Sequence, residues 1–538
     1  MEGFDCDVAI VGAGPVGAVL ANLLGHAGVT VVVLEAAKTV AGHPRAVGID
    51  DEAIRTLQSF GLAEVVLDNS LRNVPIRYHD SAGRVLAHVA PAGRPYGWPR
   101  RNLFYQPFLE ECLRQHLARY ASVDLRLGSR VTALDQDSDG VALRARADDG
   151  DATVRARYVV GTDGGRSFVR EAAGISLLGD TAPVKWLVVD VEKDTWDAPY
   201  SAVYTSPERP SMTIPLPFGH RRFEFQIRED EDPETVSRPE TVASLLKRFY
   251  PASRVPPVVR SDVYWHHSRT AASFQAGRVF LAGDAAHLQP PFFGQGMNSG
   301  IRDVTNLAWK LALVTGGPAA PRILDTYDAE RRRNAEVMVT FATRMGRMYK
   351  PRNPFTERVR NAAFRCAQKV PGARDYILQM KYKPTPRYTE GLVVGAAGAD
   401  RTSLVGRAFP QPMVRTAEGE GIRLDDVLGP RVGVLGLVPA FAASMSGRTA
   451  ERLRAHGGVL VQSVPAPVYR RGSSRPADVP ADREVVEVVD IDGGLRDLLL
   501  ARPADEVYVV RPDRYVGAVC RADDLDRVLG RFLAALEP

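Results

Sequence analysis

Two short unbroken apolar runs open the chain, Val8 to Val11 and Val29 to Leu34, and each predicts a strand buried on both faces. Between them stands Gly12-Ala13-Gly14-Pro15-Val16-Gly17, leading into a stretch rich in Ala and Leu that predicts a helix. From about Arg45 to Leu67 the pattern becomes amphipathic and helical. Residues 74 to 91 alternate like two strands about a turn at Ser81-Ala82-Gly83, and a further helix is expected within residues 101–120, after a short loop. Several strands with Asp-Gly turns follow over residues 123–164. The stretch 180–265 is strand-rich and turn-rich, and it reads as a separate sheet layer. After residue 300 the pattern is helical to about residue 380. A Gly- and Pro-rich linker comes next. Beyond it "RVGVLGLV", "GGVLVQSV", "REVVEVVDI" and "DEVYVVRPDRYVGAV" are strand-like, with helical stretches at 447–455 and 522–536, which predicts a small α/β C-terminal domain.

The first unit carries chemistry. A GxGxxG turn between a strand and a helix, with Glu35 closing the second strand 18 positions beyond Gly17, is the pattern of a dinucleotide site. Gly12, Gly14 and Gly17 permit a tight turn, close approach of a diphosphate and close helix packing, while Glu35 is placed to accept from a ribose hydroxyl. Two later stretches also follow apolar runs: "GTDGGRSFVR" from Gly161, and "GDAAHLQPPFFGQGMNSGIRD" from Gly283. The second combines glycines, paired prolines and an early aspartate ahead of a helix start, as expected for a backbone that closes on a polar, ring-bearing ligand.

Composition narrows the picture. At 538 residues, two or three domains are expected. A net charge of +5 spread over this length gives no argument for nucleic acid. No apolar run reaches the ~18 residues of a membrane helix, and the N-terminus runs straight into a strand, so neither a membrane anchor nor a signal peptide is expected. Cys6, Cys112, Cys366 and Cys520 form no CxxC pair, so no metal site or dithiol is read, and reduced thiols in a cytoplasmic protein are expected.

Taken together, the GxGxxG, DG and GD stretches resemble the class A FAD-dependent aromatic hydroxylases of the para-hydroxybenzoate hydroxylase superfamily. "PRAVGIDDEAIRTLQSFGL", "GWPRRNLFYQP", "FVREAAG", "RRFEFQI", "LAGDAAHLQPPFFGQGMNSGIRD" and "LDTYDAERR" resemble in particular the 3-(3-hydroxyphenyl)propionate hydroxylases, over roughly residues 5–390. The C-terminal part resembles the thioredoxin-like appendage of the phenol hydroxylase branch. The implied fold is α/β: a Rossmann-like FAD-binding domain over 1–390 with an inserted β-sheet substrate domain (approximately 74–100 and 180–265), a linker at 391–410, and a thioredoxin-like C-terminal domain over 411–538 that lacks CxxC and so has a structural or oligomer-forming role, with a homodimer one possibility.

The resemblance implies a flavoprotein monooxygenase that takes electrons from NADH or NADPH and, with O2, hydroxylates a small phenolic acid through a C4a-hydroperoxyflavin. It also implies roles for single residues. Gly12, Gly14 and Gly17 hold the FAD diphosphate and Glu35 the adenosine ribose; Arg45 and Gln106 contact FAD. Asp163 supports FAD, Asp284 holds the ribityl chain, and Gly294, Gly296, Met297 and Asn298 lie against the flavin ring. His266 poises the phenol proton or is a hydrogen-bonded structural residue. Arg222 pairs with a carboxylate or with FAD, or forms a surface ion pair. Pro291, Phe292 and Phe293 keep the pocket dry or simply fill the core. Trp98 and Tyr105 are pocket or core aromatics, and Arg331-Arg332-Arg333 reads as a solvated helix face. The same motifs serve hydroxylases of polyketides and other large aromatics, against which "GIDDEA" and "GWPRRN" favour the small acid. A non-catalytic flavin-binding protein is the reading from another class, and the absence of WxWxIP disfavours a halogenase.

Overall fold

The computed structural model describes residues 3–148, 150–292, 294–349, 353–395, 402–416, 419, 421–437, 441–464, 483–503 and 505–537. Cys6–Val11, Val31–Glu35 and the end of Gly150–Gly161 are apolar runs buried on both faces, the form a parallel sheet requires. They join Val279–Leu281 and Val123–Leu127 in the order Gln275–Ala276, Val279–Leu281, Gly150–Gly161, Cys6–Val11, Val31–Glu35, Val123–Leu127. The hairpins at residues 136–141 and 147–150 add an antiparallel arm. Register sets the chemistry. Val11 lies beside both Leu34 and Gly161, and Gly161 beside Leu281, so the GxGxxG turn, Glu35, the DG stretch and the GD stretch all emerge at one edge of the sheet. The carboxyl edge of a parallel sheet is where such folds bind ligands.

The helical expectation over residues 45–67 needs correction at its start. Gly48–Asp50 is a short strand paired with Arg101–Leu103, and helices run only over Asp51–Gln58 and Ala63–Asp68. The Asp50 side chain accepts from Ala53 N and caps the first of these, which fixes where the helix begins.

Strands from two distant stretches build the second sheet, in the order His287–Leu288, Val258–Ala271, Leu177–Val191, Arg221–Gln226, Ser211–Pro215, Ser201–Tyr204, Ile76–His79, Val85–Val89. Its faces differ. Leu187, Val189, Val191, Phe223 and Phe225 form a core with the helix Pro239–Leu246 and Tyr250. Asp190, Arg222, Glu224 and Tyr264 lie on the other face, toward the first sheet. Polar residues alternating with phenylalanine in "RRFEFQ" therefore mark a polar interior rather than a solvent face.

The C-terminal sheet has seven strands in the order Gly421–Arg423, Met413–Arg415, Val485–Asp490, Val459–Ser463, Gly433–Gly436, Glu506–Val510, Val516–Arg521. The Val485, Val459 and Gly433 strands are parallel, Glu506–Val510 runs antiparallel to them, and Val516–Arg521 runs antiparallel to Glu506–Val510. This unit docks on the first through desolvated charges. Arg511 bonds Glu330 (2.7 Å) and Asp513 (2.6 Å), Lys310 bonds Glu330 (2.9 Å), and Arg55 bonds Asp425 (2.6 Å). Removing one partner of such a buried pair typically costs about 3–5 kcal/mol. Arg331 departs from the expected solvated face: its side chain is buried and bonds Asp303 at 2.9 Å, whereas Arg332 and Arg333 stay on the outer side with Asp328 and Glu390. Among the described residues no helix is long and apolar enough to cross a membrane.

Candidate active site

A cavity of about 760 Å³ lies between the carboxyl edge of the first sheet and the polar face of the second, within the ~300–1,000 Å³ range of small-molecule sites. Gly12, Gly14 and Pro15 line one end. The helix Pro15–His26 starts there with Gly14 at its N-cap and no side-chain cap, so its first N–H groups point at the cavity. Glu35 closes the same end. Its carboxylate accepts from Ala13 N (2.6 Å) and Ala37 N (2.7 Å), which locks the turn to the second strand.

Gln106 begins the helix Gln106–His116 and accepts from Arg45 N (2.8 Å) and Ala46 N (2.6 Å), so its amide shapes the loop that carries Arg45 along the wall. Asp163 accepts from Ser167 Oγ (2.5 Å) and Val169 N (3.0 Å), tying the DG turn to the helix after it; burial raises its pKa against those bonds. The Asp284 carboxylate opens into the cavity and meets no hydrogen-bond donor among the described residues. Although open to the cavity, it is closely surrounded by protein. That desolvation pushes its pKa up against the pull of His287, Arg45 and His267. Asp303, which sequence reasoning missed, braces the GD turn from behind by accepting from Gly283 N (3.1 Å) and pairing with His287 (2.7 Å) and Arg331. Gly294, Gly296 and Met297 line the cavity. Asn298 also reaches it and donates to Gly48 O (3.0 Å) and Gly294 O (2.7 Å), holding two wall segments together.

Several expectations for the substrate side change. His266 does not line the cavity, though Trp265 and His267 do. It is 5% exposed, stacked on Trp186, and its Nε2 has no hydrogen-bond partner among the described residues. Burial pushes its pKa down to about 3, helped by His267, so it stays neutral. Arg222 does line the cavity but is committed elsewhere: Nε and Nη2 hold Asp190 (2.8 and 2.9 Å), Nη1 donates to Arg45 O (2.8 Å), and Nη2 also donates to Pro44 O. It buttresses the Arg45 loop rather than offering a free charge. Pro291 lines the cavity, while Phe292 sits behind it, 7% exposed, edge-on to Trp186 and His266. Phe293 lies outside the described residues. Trp98 is buried, donates to Gln58 Oε1 (2.8 Å) and lies under Arg423. Tyr105 stacks on His220 away from the cavity.

Sequence reasoning also missed Glu224 and Tyr264, whose side chains bond each other on the cavity wall (2.8 Å), and Arg100 near Asp51 at another part of the wall. For Glu224 and Tyr264 the signal was the polar-apolar alternation of the second sheet, legible only once that sheet's partner is known.

The FAD binding domain family matches residues 5–342, and the HcaD C-terminal domain family matches 406–535. The chain belongs to the FAD-binding domain family. The donor set fits that cofactor: an open helix N-terminus, a carboxylate at the end of the second strand, and an Asp284 carboxylate aimed into the cavity. Curated relatives named 3-(3-hydroxy-phenyl)propionate/3-hydroxycinnamic acid hydroxylases include one from Burkholderia vietnamiensis, 43% identical over 98% of this chain and 96% of its own length. Another from Mycobacterium avium is also 43% identical, over 98% and 92%. Among solved structures, the flavin-dependent monooxygenase PieE matches with a TM-score of 0.81 at 21% identity, covering 98% of this chain and 99% of its own. Aklavinone-11 hydroxylase matches at 0.78 and 25%, covering 99% and 100%. The enzyme is an FAD-dependent aromatic hydroxylase.

Proposed function

We propose that the enzyme hydroxylates the ring of a 3-(3-hydroxyphenyl)propionate-type acid with NADH or NADPH and O2. The observation that carries this is 43% identity to hydroxylases of such acids across both the first sheet and the sheet that forms the opposite cavity wall. A polyketide substrate is not favoured, because the matching aklavinone-11 hydroxylase is only 25% identical.

When bound, FAD supplies electron transfer from the nicotinamide and activation of O2. The chain's own residues bind, orient and dry the site. The helix N-terminus at Gly14 takes the diphosphate, with Gly12 and Gly17 shaping its turn. Glu35 takes the ribose, and Gln106 holds the Arg45 loop against the cofactor. Asp163 anchors the DG turn, and Asp284 takes the ribityl hydroxyls. Gly294, Gly296, Met297 and Asn298 present backbone to the ring. Ile76, Val203, Met212, Ile214 and Pro291 supply the apolar wall that excludes water from the reacting ring, with Phe292 packed behind it. Because Arg222 is spent on Asp190, the substrate carboxylate falls to Arg100, a cavity-lining guanidinium with no hydrogen-bond acceptor among the described residues.

The division into an FAD-binding domain over 1–390 with substrate-sheet insertions near 74–100 and 180–265, a linker at 391–410 and a thioredoxin-like domain over 411–538 is part of the same reading. In support, the four strands Val516–Arg521, Glu506–Val510, Gly433–Gly436 and Val459–Ser463 lie in the order last, third, first, second, with the third antiparallel to the first two. Cys520 alone cannot run a dithiol cycle. A homodimer in the cytoplasm completes the reading, and the free thiols fit a reducing compartment.

The test is to purify the yellow holoenzyme, screen phenolic acids for stimulated NADH or NADPH consumption, and identify products by mass. A ring-hydroxylated phenylpropanoid acid is expected. Stimulation by polyketide phenols alone, or by no phenol, overturns the reading.

A further inference from the structure

We propose that Glu224, held by the Tyr264 hydroxyl, is the group that takes the phenol proton of the substrate. The proposal rests on the function argued above. Three features of the geometry point to this pair. Both side chains line the cavity on its sheet wall. The Tyr264 hydroxyl donates to Glu224 Oε2 at 2.8 Å, and no other donor among the described residues bonds the carboxylate, so acceptor capacity remains for an incoming hydroxyl. Finally, the neighbouring Arg222 is held by Asp190 through two bonds, so Glu224 stands beside an already neutralised pair rather than in a salt bridge of its own.

The titratable groups facing Glu224 come from three strands: Arg222 from its own, Asp190 from Leu177–Val191, and Tyr264 and Arg260 from Val258–Ala271. Burial raises the carboxyl pKa, outweighing Arg222 and the Tyr264 bond. This narrows the gap to a phenol of pKa ~10 and makes the carboxylate a stronger base than one in water. His266, the sequence-based candidate for this task, lies beyond Tyr264 with ring centroids 5.3 Å apart, off the cavity wall.

The step balances simply. The phenol O–H bond breaks, its proton goes to a Glu224 carboxylate oxygen, and the electron pair stays on the phenol oxygen, enriching the ring positions ortho and para to it. Glu224, now a neutral acid that still accepts from Tyr264, returns the proton to water as product leaves. No oxidant or reductant enters this step.

The test uses holoenzyme with FAD content checked, and 3-(3-hydroxyphenyl)propionate and a ring-fluorinated analogue of lower phenol pKa as probes. Glu224→Gln keeps shape and the Tyr264 bond. Its kcat at pH 7 should fall about 100-fold or more, the usual scale of a lost general base, and climb with pH toward the phenol's own pKa. The fluorinated analogue should recover most of the loss. Tyr264→Phe removes a bond that lowers the Glu224 pKa, so the acid limb of the kcat profile should move to higher pH. If wild type turns over the phenol and Glu224→Gln matches it, or loses activity equally on both probes at every pH, the proposal is overturned while the function stands. If wild type turns over no phenol, the function fails and the proposal with it.

Discussion

The three glycines of the first turn should fail in different ways when each is changed to alanine. An ideal Cβ on Gly14 meets no protein atom within 4 Å, and the backbone there, φ −67° and ψ −176°, is open to any residue. The FAD-free protein should therefore keep its stability to within about 1 kcal/mol, the scale of Gly/Ala exchanges at helix starts. With the diphosphate at the helix N-terminus as proposed, the new methyl enters the space the diphosphate needs. Losing one charge-assisted hydrogen bond there costs about 1.5–3 kcal/mol, roughly a 10- to 150-fold rise in Kd for FAD. A Cβ on Gly17 would overlap the Gly12 carbonyl oxygen and stand 2.5 Å from Thr162 Oγ1, so the helix and turn must separate. Overpacking of this kind costs about 1–3 kcal/mol of folding stability. Gly12, at φ +100° with a would-be Cβ 2.7 Å from Thr162 O, should lose both folding stability and affinity. Urea unfolding of FAD-free protein and FAD fluorescence titration separate the cases. Wild-type FAD affinity in Gly14→Ala, or a loss of more than about 2 kcal/mol in its unfolding, would refute the reasoning.

Asp284→Ala should weaken FAD retention by about 1–3 kcal/mol, read by flavin fluorescence after gel filtration; unchanged retention would remove Asp284 from the cofactor site. Phe292→Ala, which empties the contact with Trp186 and His266, should cost about 3–5 kcal/mol of stability. If the residue also keeps the site dry, hydrogen peroxide formed per NAD(P)H consumed should rise; unchanged coupling leaves it a core residue. His266 has a depressed pKa, so the unfolded chain binds a proton that the folded chain refuses between about pH 6.5 and 3, and stability there falls as pH falls, by up to ~1.4 kcal/mol per pH unit. His266→Phe should flatten that slope relative to wild type in urea melts, and equal slopes would contradict the buried neutral ring.

The glycine-turn end of the cavity was legible because its signals are local: an apolar strand, a glycine turn and a closing acid lie within about one βαβ unit. The opposite wall was not, since Ile76–His79 pairs with Ser201–Tyr204 across a long stretch of chain, and no local pattern announces such pairing. Orientation in "VYWHHSR" was hidden for a related reason. Pairing with Leu177–Val191 slips between Thr181 and Lys185, opposite His267 and Trp265, so counting alternate residues does not say which ring faces the cavity. Arg331 reads as one of three surface arginines until the helix Gly296–Gly316 brings Asp303 against it. Arg222 looked available for a ligand because Asp190, its partner, is on another strand.

The central claim, that this cavity brings FAD, O2 and a phenolic ring together, is tested most directly by running the reaction under isotope-labelled dioxygen with 3-(3-hydroxyphenyl)propionate and NADH or NADPH. The account predicts a dihydroxylated product whose new hydroxyl carries the label, formed in step with nicotinamide oxidised and lost in Asp284→Ala unless FAD is added in excess. Unlabelled product formed in labelled dioxygen, or nicotinamide oxidised only to hydrogen peroxide with every phenolic acid tried, would contradict it.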